Sequence, residues 1–355
     1  MVQDGPTHLS DTARRASVID PLIPRPPADV ATLRSAVSRM VSRQWDAHVA
    51  ELHIGPETHA AKARFIAEMY ARACYSMLLV SAEGPASIRL PVLVTSILPL
   101  WRGLAIVLGR VLLSSLDRLL PQAVHCQLLL MSALMGTLDV VLDEAAASGG
   151  EAALRIASML TRQSHATLSP GEEALVTLAR NVRRDESAWQ RDYWEAVLQP
   201  SVFQYCRAEA LAVAHAPDPE RMGHRRAGID AAIKGMWYVV GPLIGLGFTS
   251  ERYAQFERPG WNREQTWMAD TSLLMQMIDD WVDQDEDRNA RVTPVLSGEW
   301  DLHSIEELYR KTTRDLTAML NGNRIKNRVL QQLFLDLYND YLHTALSAMR
   351  SGVAS

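Results

Sequence analysis

The stretch Leu273-Leu-Met-Gln-Met-Ile-Asp-Asp-Trp-Val-Asp-Gln-Asp-Glu-Asp-Arg288 begins as an apolar helix and turns abruptly acidic. At about 100° per residue Asp279, Asp283 and Asp287 fall at roughly 0°, 40° and 80°, so three carboxylates stack on one face over two turns. Glu286 lies about 20° to the other side of Asp279. Ile278 and Val282 flank the stripe and place it at the border of a core. Like charges at i,i+4 cost a helix roughly 0.2–0.5 kcal/mol per pair, and more where they are partly buried. A hard divalent cation offsets this repulsion, because Mg²⁺ takes a few carboxylate oxygens, keeps several waters and commonly bridges to substrate phosphates. The competing reading is a solvated charge run near a helix end.

The rest of the chain makes this run stand out. The 355 residues carry 36 Lys+Arg against 41 Asp+Glu, a formal net charge of −5. Six of the nine residues from Asp279 to Asp287 are acidic, so that segment holds −6 and the remainder sums to +1. A nucleic-acid binder would need a surplus of positive charge, and none is present. Apolar residues at 48% and charged residues at 22% describe a globular chain able to bury a large core. Cys74, Cys126 and Cys206 lack CxxC spacing and fit free thiols in a reducing cytoplasm. The N-terminus has no apolar signal region. Leu90 to Trp101, one of the most apolar stretches, is too short for a membrane span and contains Pro91 and Pro99, so no transmembrane segment is expected.

Outward from the acidic run the pattern is helical almost throughout. Residues 1–28 are polar and proline-punctuated, a flexible leader or a strap over the surface, and 29–355 read as one all-α domain. The periodicity predicts helices at 29–53, 58–82, 87–98, 100–118, 121–147, 150–163, 170–184, 187–214, 219–248, 262–288, 302–321 and 324–351. Gly55-Pro56, Gly84-Pro85, Gly149-Gly150, Pro170-Gly171, Pro259-Gly260 and Gly322 punctuate them. No alternating, β-branched run demands a sheet, and no solenoid repeat is apparent.

A second acidic helix is the natural partner of the first. In Leu128 to Leu142 (LLLMSALMGTLDVVL) Asp139 is the only charged residue. Asp143 follows at i+4, on a face that also carries Leu128, Ser132 and Met135, while Glu144 points away. A carboxylate on so apolar a helix requires a cation, a hydrogen-bond network or a proton. Capping of a buried backbone group or pairing with an arginine would serve as well.

Together the two segments resemble the class I isoprenoid (terpenoid) synthase superfamily, in which two acidic helices face each other across a central apolar cavity of an α-helical bundle. Asp279, Asp283 and Asp287 match the ligand positions of its N/D-D-x-x-S/T-x-x-x-E motif. Met275 to Asp283 is similar to the F-Q-x-x-D-D-x-x-D form of prenyl diphosphate synthases, with Met for Phe. IDDWVDQDEDR is similar to the D-x-x-x-D-x-x-E-D-R helix of bacterial large-terpene cyclases, which makes Glu286 or Asp287 the last ligand. Asp139-Val-Val-Leu-Asp143 is a D-x-x-x-D as in squalene, phytoene and large-terpene enzymes. It departs from the DDxxD of ordinary cyclases and chain elongators, and no Arg-Arg follows it.

The resemblance implies a terpene synthase, with a prenyl-coupling transferase or a non-catalytic lipid-binding relative as alternatives. Up to three Mg²⁺ ions would be held by Asp139, Asp143, Asp279, Asp283, Glu286 and Asp287, and the substrate would be an allylic prenyl diphosphate. A cytoplasmic location is expected, and the oligomeric state is left open, with a homodimer as one option. Metal and cationic side chains would stabilise the departing diphosphate, leaving a carbocation in the cavity. Lys234, inside the otherwise apolar run Ala231 to Val240, is the leading basic residue, followed by Arg288, Arg225 and Arg226. Snorkelling to the surface is the other reading of Lys234. Gly235, Gly241, Pro242, Gly245 and Gly247 are expected to break this helix near its middle or to allow close packing. Trp237, Tyr238, Trp281 and Tyr75 are cavity or core aromatics. A di-iron carboxylate bundle is disfavoured because no Glu-x-x-His pair occurs.

Overall fold

The computed structural model describes residues 14–28, 30–80, 122–147, 151–162, 168–214, 221–241, 263–282, 302–322 and 328–350. Every regular element among them is helical, so the described part is all-α, without a strand. The main helices are α1 (Val30–His48), α2 (Glu57–Val80), α3 (Gln122–Ala147), α4 (Glu151–Arg162), α5 (Pro170–Arg183), α6 (Ala188–Tyr193) and α7 (Gln199–Ala214). They continue as α8 (Arg221–Val240), α9 (Arg263–Val282), α10 (Leu302–Gly322) and α11 (Arg328–Arg350). A π-helical turn, Trp194–Leu198, joins α6 to α7 without a break. The helices expected at 87–98 and 100–118, and Leu90 to Trp101 with them, lie outside the described residues.

Local chemistry sets several of these ends. Ser169 caps α5 in a reciprocal box with Glu172, and Pro170 occupies the first turn, where its missing N–H costs nothing. Ser187 and Gln190 form the same box at the start of α6. Each box satisfies two backbone donors at the start of its helix.

Helix α3 is the axis. Leu128 to Leu138 are buried without interruption, as are Val140, Val141 and Leu142. It is long and apolar enough to cross a membrane, yet 78% of its apolar stretch is covered by the rest of the protein. A helix apolar on all sides must be enclosed on all sides. Helices α1, α2, α5, α7 and α8 pack around it, with α4 beside them. One hydrophobic cluster, reaching from Ala16 to Leu346, joins this core to α9, α10 and α11.

The closest approach is between α2 and α3, which run antiparallel: Lys62 meets Asp143, while Ala63 and Ala67 meet Gly136. A Cβ on Gly136 would stand 2.5 Å from the carbonyl oxygen of Ala63 and 3.2 Å from the amide nitrogen of Ala67. Backbone, not a flexible side chain, fills that space. Ala63, Ala67 and Ala71 are fully buried along the seam, so small residues on α2 complete the contact.

Residues 14–28 form a strap. A helical turn at 14–19 and the 3₁₀ turn Asp20–Leu22 bury Ala16, Ile19 and Ile23. His343 of α11 holds the strap, with Nε2 at 3.1 Å from the Ile23 carbonyl and Nδ1 at 3.5 Å from Asp20.

Gly136→Ala is expected to destabilise the protein by about 1–3 kcal/mol through overpacking against the α2 backbone. Urea unfolding measures this, and wild-type stability in the variant would refute the tight seam.

Candidate functional site

Near its C-terminal end α3 exchanges apolar residues for carboxylates. Asp139 is half-buried there, and Tyr205 of α7 donates its phenolic hydroxyl to Asp139 Oδ1 at 3.3 Å. The phenol ring reaches that position because α8 carries Gly228 where they cross. A Cβ at Gly228 would lie 2.9 Å from Tyr205 Cε2. Asp143, one turn further along α3, is 61% exposed and accepts from Lys62 Nζ of α2 at 3.0 Å. Asp279 enters from the last turn of α9, half-buried, with Gln276 Nε2 donating to its Oδ2 at 3.2 Å.

These groups feel one another's charge. Burial, followed by repulsion from Asp143, pushes the Asp139 carboxyl up to about 7. Asp279 adds to the rise, whereas Lys62 and the Tyr205 hydrogen bond hold it down. Burial alone would lower the Lys62 ammonium, but Asp143, Asp139 and Asp279 together carry it above the ordinary lysine value. The Tyr205 phenol is raised well above its usual value by burial and then by Asp139. Among the described residues, the charges of three carboxylates from two helices thus all act on Lys62.

Asp139 and Asp279 lie 140 positions apart in the chain, and the fold makes them electrostatic neighbours. Their helices are not principal packing partners among the described residues; both pack on α8 instead. Of the other expected ligands, Asp283, Glu286 and Asp287 lie outside the described residues, as does Arg288. The same holds for the side chains of Arg225 and Tyr75. Arg226 is exposed.

Lys234 does have the anionic partner expected of a half-buried lysine, but it comes from its own helix. Nζ lies 2.7 Å from Asp230 Oδ2 and 2.9 Å from Ser201 Oγ. Lys62 is the lysine that shifts Asp139. Helix α8 also runs unbroken through Gly235 to Val240, so no break occurs at Gly235. That glycine serves close packing, since its Cβ would meet the Tyr70 hydroxyl at 3.1 Å and Met131 Sδ at 3.2 Å. Gly245 and Gly247 are outside the described residues. Trp237 and Tyr238 belong to the core, and Trp281 is half-buried against it.

Sequence reading missed Lys62 and Tyr205. Lys62 follows His59 and precedes the alanine seam, so its helix face was legible, but the antiparallel register that sets it opposite Asp143 was not. Tyr205 carries no motif at all.

Oxygen donors of this kind suit a hard cation such as Mg²⁺. Among the described residues, however, no three His, Cys, Asp or Glu side chains are close enough to hold a metal ion as one group. Asp139, Asp143 and Asp279 would therefore form only part of a metal site, with water, phosphate oxygens or residues of the 283–287 run supplying the remainder. An apolar cavity of about 20 Å³ lies beside α3, lined by Met131, Met135, Leu138, Trp194 and Val202 among others. It has room for about one water molecule and none for a prenyl chain. No family model, curated protein or solved structure matches the chain.

Folding raises the Asp139 pKa from an ordinary 3.8 to about 7, so the folded state keeps a proton that the unfolded chain gives up. The stabilisation from that proton is full below about pH 4 and is lost as pH rises through about 7. Without added metal, Asp139→Asn is expected to raise the Tm by several degrees at pH 8 and to leave it unchanged at pH 4. A lower Tm at pH 8 would show that the ionised carboxylate is the favoured form.

Proposed function

We propose that the protein is a Mg²⁺-dependent class I isoprenoid enzyme, a terpene synthase that ionises an allylic prenyl diphosphate. The observation that supports this reading is that the charges of Asp143 on α3 and of Asp279 on α9, remote in sequence, both bear on the half-buried Asp139. A solvated charge run, the competing account of the acidic stretch, gives no reason for the Asp279 charge to bear on the half-buried Asp139.

On this reading Asp139 and Asp143 offer oxygens from α3, and Asp279 offers them from α9, with Asp283, Glu286 and Asp287 completing the set. Tyr205 fixes the rotamer of Asp139 through its hydroxyl. Bound Mg²⁺ would supply electrostatic stabilisation of the leaving diphosphate. The surrounding apolar helices would keep water from the ionised chain. Lys234, Arg225, Arg226 and Arg288 remain candidates for contacting the phosphate oxygens. A prenyl-coupling transferase would use the same residues and add an acceptor.

One observation favours a non-catalytic relative as the second reading. Lys62 already pairs with Asp143, so part of the acidic cluster is neutralised by the chain itself.

Incubation with C10 to C25 prenyl diphosphates and Mg²⁺, followed by mass spectrometry, separates these readings. A terpene synthase releases diphosphate together with a hydrocarbon or alcohol. Product that requires isopentenyl diphosphate or a second prenyl chain indicates the transferase. Asp279→Ala is expected to lower turnover on the order of 100-fold or more, as loss of a group stabilising transition-state charge does. Absence of any product and of diphosphate release across the panel would reject the enzymatic reading.

A further inference from the structure

The strap is fastened to α11 by a histidine whose two ring nitrogens both face acceptors. His343 Nε2 lies 3.1 Å from the Ile23 carbonyl oxygen, and Nδ1 lies 3.5 Å from Asp20 Oδ1. A carbonyl oxygen and an ionised carboxylate can only accept, so each nitrogen must carry a proton to attract the oxygen it faces. A neutral imidazole has a single N–H and serves one of the two, while its other nitrogen points a lone pair at oxygen. The imidazolium serves both. The side chains of His343 and Asp20 are 15% and 18% exposed, so water and salt screen little of the pairing.

Proline makes this stretch poor in backbone donors. Pro21, Pro24, Pro26 and Pro27 are four of the seven residues from 21 to 27, and none of them has an N–H to offer. Arg25 reaches back to Asp20 Oδ2 at 3.5 Å, but it is 82% exposed and belongs to the strap itself, so it ties nothing to the bundle. The other charges around His343 sort by sign. Asp340, one turn back on α11, is buried and feels Arg34 of α1, Arg72 of α2 and His343. Arg34 Nη1 lies 3.1 Å from its Oδ1. Asp20 and Asp340 thus favour a charged His343, while Arg34 and Arg72 oppose it.

We propose that His343 is a pH-dependent latch on the strap: the imidazolium holds the strap on α11, and loss of its ring proton releases it. Proton loss leaves one acceptor facing a lone pair and removes the positive charge beside Asp20, so attachment weakens as pH rises. Histidine is the side chain that changes charge between about pH 5 and 8, so the strap is held at the lower limit of that range and released at the upper. Release uncovers Ala16, Ile19 and Ile23, which the closed strap buries. The latch is independent of the acidic residues on α3 and of the function proposed above.

Amide hydrogen exchange of the full chain tests it, read by mass spectrometry on peptides covering residues 14–23 and corrected for the chemical exchange rate at each pH. In wild type the strap is expected to lose at least about 5-fold in protection between about pH 5.5 and 8, the low end of ordinary coupling between two linked events. Peptides from α3 should keep their protection and serve as the reference. His343→Gln can still donate one hydrogen bond to Ile23 but carries no charge at any pH, so its strap should be weakly protected at both pH values. Asp20→Asn removes the carboxylate that the imidazolium faces, leaves α11 untouched and should flatten the profile as well. A histidine that merely fills space would lower protection on substitution without altering its pH dependence.

Equal protection of the wild-type strap at both pH values overturns the latch, as does a loss shared equally by α3. A wild-type pH dependence that survives in His343→Gln or in Asp20→Asn overturns it too. Should His343→Gln not fold, Asp20→Asn decides by the same criterion.

Discussion

The enclosure of α3 governs the structure. From Leu128 to Leu142 the helix offers almost nothing to water except Asp139, so α1, α2, α5, α7 and α8 are needed to cover it. Covering it closely requires Gly136 against Ala63 and Ala67, where backbone meets backbone with no space for a methyl group. Asp139 and Asp143 ride on this enclosed helix. Their positions are therefore set by core packing, and the helices around them are fixed in register by the same contacts.

A carboxylate carried into that setting has to be compensated. Three means are on hand: a proton on Asp139, the Tyr205 hydroxyl, and the Lys62 ammonium. They are not equivalent. The hydroxyl orients the group, the proton neutralises it only below about pH 7, and the ammonium neutralises Asp143 more directly than Asp139. With Asp279 added, the described residues still carry an excess of negative charge at neutral pH, which favours any further cation that can reach them.

Much of the helical layout was legible because local signals agreed with the periodicity. The start of α5 shows this: Ser169, Pro170 and Glu172 mark it independently of the apolar spacing, and the structure places a capping box there. Charges four apart on one helix face were equally legible, as Asp139 and Asp143 show. Asp230 and Lys234 have that same spacing and form an ion pair. Contacts that depend on the register between helices were not legible, so Lys62 and Tyr205 escaped notice. Glycines were ambiguous for a related reason. Gly235 reads as a break or a close-packing site in a single helix, and it acts, like Gly228, as a clearance between neighbouring ones.

The two ends of α3 show why the acidic end is the one with chemistry to offer. About 18 Å from Asp139 along the helix, Gln127 joins Gln190 and the Tyr238 carbonyl in a polar cluster near Glu186. Glu186 is half-buried as well, and burial would raise its carboxyl. Yet hydrogen bonds from Arg183, Tyr238 and Arg191 draw it below the ordinary value. That carboxylate is satisfied by the chain and has no use for an external ion. At the other end burial and repulsion win over the available partners, and Asp139 moves in the opposite direction. Two half-buried acids in one bundle therefore differ in sign of shift: burial and the Asp143 charge dominate at Asp139, whereas hydrogen bonds from two arginines and a tyrosine dominate at Glu186. The Asp279 charge adds to the rise at Asp139 and not at Glu186, so repulsion is concentrated at the acidic end of α3.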